Sequence, residues 1–291
     1  MHLIIPTGTK VVSRHDRRVG SVVHVPASLD NLYRVRFPDG SEASFRRAEL
    51  TIFRQDQAAI PDGVPDSELY KFVAYRCVVG SRAYGLATET SDVDRRGFYL
   101  PPADIEWSLA GVPEQLENDN EEVYWEVEKF LRLALKANPN ALECLYSPLV
   151  EFSSLIAEEL LAIRDIFLSQ HVHRTYNAYV LSQFKKLEQD LRNQGEFRWK
   201  HVMHLIRLLL SGIAVLRDGF VPLRVERYRG RLAIRAGETS WAEVEKWRLA
   251  LHRELDEALA ATALPEHPDY QRANEFLIRA RRLATSPEYC E

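Results

Sequence analysis

A largely apolar run, Phe72–Val79, stops at Gly80-Ser81, and about ten residues later Asp92 and Asp94 open a second apolar stretch that ends at Pro101-Pro102. No other feature restricts the fold as much. A buried strand, a glycine turn and a returning strand read as neighbours in one sheet, with the connecting loop at its end. If the chain from Asp92 to Leu100 is extended, both carboxylates leave the same face, about 7 Å apart along the chain.

Two carboxylates so placed suit divalent cations, which in two-metal sites sit roughly 3.5–4 Å apart. A Gly-Ser turn beside them lets the backbone approach a phosphate and adds a hydroxyl. A third carboxylate is expected from the next strand, Glu122–Val127, where alternation puts Glu122, Tyr124 and Glu126 on one face. Either glutamate fits; the expectation is Glu126. Lys200, His204 and Arg207 fall at i, i+4 and i+7, one face of a helix. They read as a phosphate- or base-contacting stripe facing the site, against the plainer reading of a polar outer face. His201 and His204 lack a third ligand at metal spacing and read as surface or substrate contacts. Asn138, Asn140 and Glu143 read as caps and turns. Tyr176 and Tyr179 read as core.

The surrounding sequence suggests three parts. Residues 1–56 carry short alternating strands and the turn Pro38-Asp39-Gly40, the pattern of a small SH3-like β-barrel. Their first 55 residues hold nine basic and five acidic groups on a chain of net charge −4. A basic module on an acidic protein suits a polyanion such as RNA, or is simply a solvated surface. Ala58–Asp66, with two prolines and a glycine, reads as a linker. Residues 67–150 mix strand and helix, and 151–291 are helical, with helices expected at Ser153–Ser169, His173–Asn193, Lys200–Asp218, Ser240–Ala261 and Tyr270–Ala284. Three scattered cysteines form no disulfide or zinc pattern, and no run is long enough for a membrane helix. A cytoplasmic protein with no membrane partner is expected. The class is α+β.

Gly80-Ser81-Arg82-Ala83-Tyr84-Gly85 followed by Ser91-Asp92-Val93-Asp94-Arg95-Arg96-Gly97 resembles the signature of polymerase-β superfamily nucleotidyltransferases. The fuller form is similar to the family called RlaP or YcgL-like, the RNA-ligase-associated nucleotidyltransferases. Lys129–Leu135 with Asn138, Asn140 and Glu143, Met203–Leu209, and Ile234–Glu238 look like its later blocks, so the resemblance covers roughly residues 70–280; the first 55 lie outside it. It implies a polymerase-β-like core with a mixed sheet and a helical domain closing over a nucleoside triphosphate. Gly80, Ser81 and Arg82 would hold the nucleotide, joined by Lys200, His204 and Arg207. Asp92, Asp94 and Glu126 would be the catalytic, metal-binding carboxylates, holding two magnesium or manganese ions. The reaction implied is nucleotidyl transfer to a hydroxyl, with an RNA end as the favoured acceptor. A protein or small-molecule acceptor, or a non-catalytic RNA-binding relative, are the alternatives.

Overall fold

The computed structural model describes residues 5–16, 18–26, 32–52, 63–87, 89, 91–118, 120–194, 199–224 and 240–286. The chain divides into two compact units, residues 1–62 and 63–291.

The first unit is a five-stranded antiparallel sheet. Its strands are β1 (Lys10–Ser13), β2 (Val19–His24), β3 (Tyr33–Arg36), β4 (Glu42–Phe45) and β5 (Leu50–Ile52), in the order β4-β3-β2-β1-β5. Alternation is visible in β3, where Tyr33 and Val35 are buried and Arg34 and Arg36 exposed. The expected turn forms: Phe37 N–H donates to the Ser41 carbonyl at 2.8 Å, and the Asp39 carboxylate accepts from Ser41 N–H at 2.9 Å. Ile5, Val11, Val22, Tyr33, Val35, Phe37 and Leu50 make its core.

The second unit opens with the short helix α1 (Asp66–Leu69) and a mixed sheet. β6 (Val73–Val78), β7 (Arg95–Tyr99), β8 (Gln115–Asn118), β9 (Glu122–Glu126) and β10 (Val150–Ser153) take the order β10-β6-β7-β9-β8. Only the β7–β9 pair is parallel among these. Between strands lie α2 (Gly80–Ala83), α3 (Ala103–Glu106), α4 (Val127–Leu135) and α5 (Pro139–Tyr146). Helices α6 (Leu155–Ala162), α7 (His171–Gln194), α8 (Trp199–Asp218), α9 (Trp241–Ala261) and α10 (Tyr270–Leu283) follow. Both faces of the sheet are covered. Phe98, Val123 and Trp125 point into a core that continues through the helices after residue 151, whereas Tyr99, Tyr124 and Leu116 pack on the opposite face with Leu69. Asn138 caps α5 as expected, accepting from Asn140 and Ala141 N–H, with Pro139 in the first turn. The expected capping box at Ser240 and Glu243 forms at the start of α9.

Three expectations change. Gly80–Ser91 is not all loop, because its first four residues form α2. The helix expected over Ser153–Ser169 is instead the end of β10, then α6, then a 3-10 turn over Arg164–Phe167. β8 falls in the acidic stretch after Pro101-Pro102, which the sequence reads as a loop. β8 and β10 are edge strands: β8 buries only Leu116, and β10 buries none of its residues, so neither carries the alternation that marks a strand.

Gly97 sits where β7 meets β6. A Cβ there would lie 1.8 Å from the Tyr75 carbonyl oxygen, which is backbone and cannot turn aside. Gly97→Ala is therefore expected to force the two strands apart. A loss of about 4 kcal/mol, roughly 10 °C in melting temperature for a unit of this size, follows if the sheet survives at all. Thermal unfolding followed by circular dichroism checks it, and a melting temperature within about 2 °C of wild type would refute it.

Candidate active site

β6 delivers Val79 and Gly80 to the end of the sheet, and β7 begins there. The ladder runs one step past the strands, with Val79 N–H donating to the Asp94 carbonyl at 2.9 Å. That bond sets Asp94 opposite the turn. Gly80 has φ 68°, and a Cβ on it would meet Asp94 Oδ2 at 2.1 Å. Glycine is thus required twice, for the left-handed backbone and because the Asp94 carboxylate rests on its Cα. The sequence suggested that a ligand would approach this glycine; what approaches most closely is the catalytic-candidate carboxylate.

Arg82 is turned away from the cleft. Its Nε donates to the Asp92 carbonyl at 3.3 Å and its Nη2 to the Ser91 carbonyl at 2.9 Å. It braces the backbone that carries Asp92, and it is not among the residues lining the cleft. Two of its three guanidinium nitrogens are thus spent on the backbone of the loop, where the sequence expected Arg82 to hold the nucleotide. Arg96 lines the cleft, 4.0 Å from Asp94 Oδ1, and its Nη1 donates to the Glu121 carbonyl at 3.0 Å.

Neither expected glutamate lies beside the aspartates. Register pairs Arg95 with Glu122 and Tyr99 with Glu126, so Glu126 lies at the far end of β9 from Asp94. There it caps α4, accepting from Glu128 N–H at 2.9 Å, and pairs with Arg281 at 2.8 Å. Glu122 turns to Asn118 (3.0 Å) and Arg95 (3.9 Å). The carboxylate that reaches the aspartates is Glu121, just ahead of β9. Its φ of 58° is uncommon for a residue with a side chain. Its carbonyl is pinned by Arg95 N–H at 3.1 Å and by Arg96, while its carboxyl hydrogen-bonds Asp94. That hydrogen bond, then the charges of Asp94 and Asp92, raise the Glu121 pKa.

Asp92, Asp94 and Glu121 crowd one end of a cleft of about 970 Å³, together with Gly80 and Ser81. The donor set is all oxygen, which suits magnesium or manganese. Among the described residues no three His, Cys, Asp or Glu side chains close around an ion by themselves. One or two carboxylates completed by phosphate oxygens and water is the ordinary magnesium arrangement.

α5 and α8 supply another part of the lining, joined to the Gly80–Ala83 turn through Tyr84. Arg207 Nη1 donates to Glu143 Oε1 at 2.8 Å, with both side chains 5% exposed. The guanidinium lies 3.7 Å above the centre of the Tyr84 ring, and the Tyr84 hydroxyl donates to Glu143 Oε2. Burial, then the Glu143 charge, hold the Tyr84 pKa well above its usual value, so it stays a donor. His204 Nδ1 sits 3.3 Å from Arg207 Nη2. Burial first, then Arg207, push its pKa down to about 4, leaving the ring neutral at physiological pH.

Of the expected α8 stripe, His204 and Arg207 line the cleft; the Lys200 side chain lies outside the described residues. Asn140 and Glu143, read from sequence as structural, line it too. Glu143 carried a visible signal: it is the one charge in Ala141–Tyr146, a helix segment otherwise apolar. A buried carboxylate needs a buried cation, and Arg207, set among Leu205–Leu210, is its counterpart. Tyr176 is core and fully buried, as expected, but Tyr179 is 38% exposed and is not core.

Among the described residues no helix is long and apolar enough to cross a membrane. The segment Ile234–Glu238 lies outside them. "Uncharacterized protein YcgL" of Bacillus subtilis (strain 168) is 27% identical to this chain over 155 residues, which is 52% of this chain and 58% of that protein. The model of the RlaP family, described as an RNA repair pathway DNA polymerase beta family, matches residues 67–279, a span that contains every residue of the cleft. With the match covering well over half its length, the chain belongs to the RNA repair pathway DNA polymerase beta family.

Proposed function

We propose that residues 63–291 form a metal-dependent nucleotidyltransferase that moves a nucleoside monophosphate from a triphosphate to a hydroxyl, with an RNA end as acceptor. One observation carries the reading: the Asp94 carboxylate seated on Gly80, with Asp92 and Glu121 beside it, at one end of a cleft of about 970 Å³. The family description supports the acceptor.

In this reading Asp92 and Asp94 hold magnesium, with Glu121 as the third carboxylate. When bound, the metal neutralises charge on the transferring phosphoryl group and orients it. Ser81 and the adjoining backbone contact the triphosphate. The acceptor oxygen forms a bond to the α-phosphorus, the bond to the β-phosphate oxygen breaks, and pyrophosphate leaves. The hydroxyl proton passes to the Asp94–Glu121 pair. Arg82 acts indirectly by fixing the Asp92 backbone, and Arg207 by fixing Tyr84, Glu143 and His204.

The first unit we read as an SH3-like barrel, supported by β5 pairing back onto β1. Its surplus of basic residues suits the nucleic-acid partner. The experiment is incubation of the full chain with each α-labelled nucleoside triphosphate, magnesium or manganese, and a mixture of small RNAs. Label on RNA is the expected result. Label on the protein itself, or on an added small molecule, would replace the acceptor. No label and no triphosphate binding would end the reading.

A further inference from the structure

The part of the cleft lined by α5 and α8 has its hydrogen-bonding character fixed by its contacts. Arg207 carries only donors and keeps its proton, so the ring nitrogen facing it has to accept. That nitrogen is His204 Nδ1, 3.3 Å away. A neutral imidazole holds one proton; with Nδ1 accepting, the proton is on Nε2. Nε2 has no protein partner among the described residues and is not among the buried atoms left without one. It therefore opens on the cleft that His204 lines. The ring cannot swing freely, because Tyr179 meets it edge to face at 6.5 Å.

We infer that Arg207 locks the His204 imidazole in the form protonated at Nε2, and that this fixed N–H reads a hydrogen-bond acceptor on the uncharged nucleoside half of a triphosphate bound in the cleft. The inference rests on the nucleotidyltransferase reading, which puts the phosphates at the Ser81–Asp92–Asp94 end. Among the described residues, the α5–α8 wall offers phosphate no unmatched guanidinium. Its one described guanidinium, Arg207, is matched by Glu143 and covered by Tyr84. Asn140 adds a neutral amide and Met203 an apolar side chain to that lining. Among the described residues, the charged and titratable groups facing His204 are Arg207, Glu143 and His201, with Tyr179 at the ring edge. The role is specificity: a base or ribose that offers an acceptor at Nε2 is held, and one that offers a donor is not.

Two measurements test it on the full chain. The first is the imidazole nitrogen spectrum of protein labelled at histidine, with His204→Gln to assign the signal. A Nε2–H pattern that persists from about pH 5.5 to 8 is expected; a Nδ1–H pattern, or titration near the ordinary 6.5, would overturn the lock. The second is equilibrium binding of ATP, GTP, CTP and UTP, with magnesium, to wild type, His204→Leu and His204→Gln. His204→Leu should weaken the preferred nucleotide about tenfold and narrow the spread among the four, and His204→Gln, which keeps a donor, should restore most of it. Equal weakening of all four and of pyrophosphate would place the contact on phosphate and overturn the inference. So would wild-type binding by His204→Leu. If wild type binds none of the four, the nucleotidyltransferase reading itself fails, an outcome distinct from the others.

Discussion

Asp94→Asn is expected to lower the rate of nucleotidyl transfer by about a thousandfold or more while leaving the melting temperature unchanged or slightly higher. The two halves have separate causes. Asn is close in size to Asp, so the seat on Gly80 is kept. What disappears is a negative ligand where charge on the transferring phosphoryl group has to be neutralised. The fold loses little, because the nearest cation, Arg96, is 4.0 Å away and partly exposed, a pairing worth well under about 1 kcal/mol. It gains relief from the neighbouring Glu121 carboxyl, to which an amide can donate. A group that harms stability and serves chemistry is the usual signature of an active site. Rate measurements and thermal melts on one preparation decide it. Manganese with a triphosphate should raise the melting temperature of wild type and not of the variant, since only the binding-competent protein is stabilised by mass action. Transfer within about tenfold of wild type, or a drop of several degrees in the melt, would refute the assignment.

The aspartate pair was legible in sequence because its signal is local: a glycine turn, two carboxylates at strand spacing, and apolar strands on either side. The third carboxylate was not. Alternation put Glu122 and Glu126 on one face, but alternation says nothing about which end of a strand meets the site. Parallel pairing of β9 with β7 decides that, and it lies in tertiary structure. Glu121 stands just outside the strand with a left-handed backbone, where no periodicity marks it. The Glu143–Arg207 pair spans 64 positions, so each half is visible only as a charge in an apolar helix. Arg82 shows a different limit: sequence places an arginine beside the loop, but not whether its guanidinium points at the ligand or back at the chain. The strands β1 to β3 and the helices α7 to α10 were legible because burial there follows simple periods, as β8 and β10 at the sheet edges do not.

Glu126, expected from sequence as the third carboxylate, instead belongs to a charge cluster around Arg281, and that cluster predicts a stability effect that varies with pH. Arg281 on α10 lies 2.6 Å from Glu106, 2.8 Å from Glu126 and 3.7 Å from Glu128. The contact to Glu126 is close but poorly aligned as a hydrogen bond. One cation, 17% exposed at its side chain, serves three carboxylates. Arg281→Met should therefore destabilise the second unit by about 3 kcal/mol, the low end for removing one partner of a buried pair because this site is partly open. That is roughly 6–12 °C in melting temperature for a unit of this size. The variant should also acquire a pH dependence. Burial first of all raises the pKa of Glu106 and of Glu126 even with Arg281 present. A carboxyl whose folded pKa lies above its unfolded one binds its proton more tightly when folded. Its contribution to stability is then full below the unfolded pKa and is lost as pH rises through the folded one. Without Arg281 to favour the ionised forms, both shifts grow. The deficit of the variant should be smallest near pH 5 and largest near pH 8. Arg281→Lys, which keeps the charge but not the fork of donors, should fall between the two. Melts across that pH range decide the matter, and a deficit that grows on acidification would show that the three glutamates do not depend on this cation.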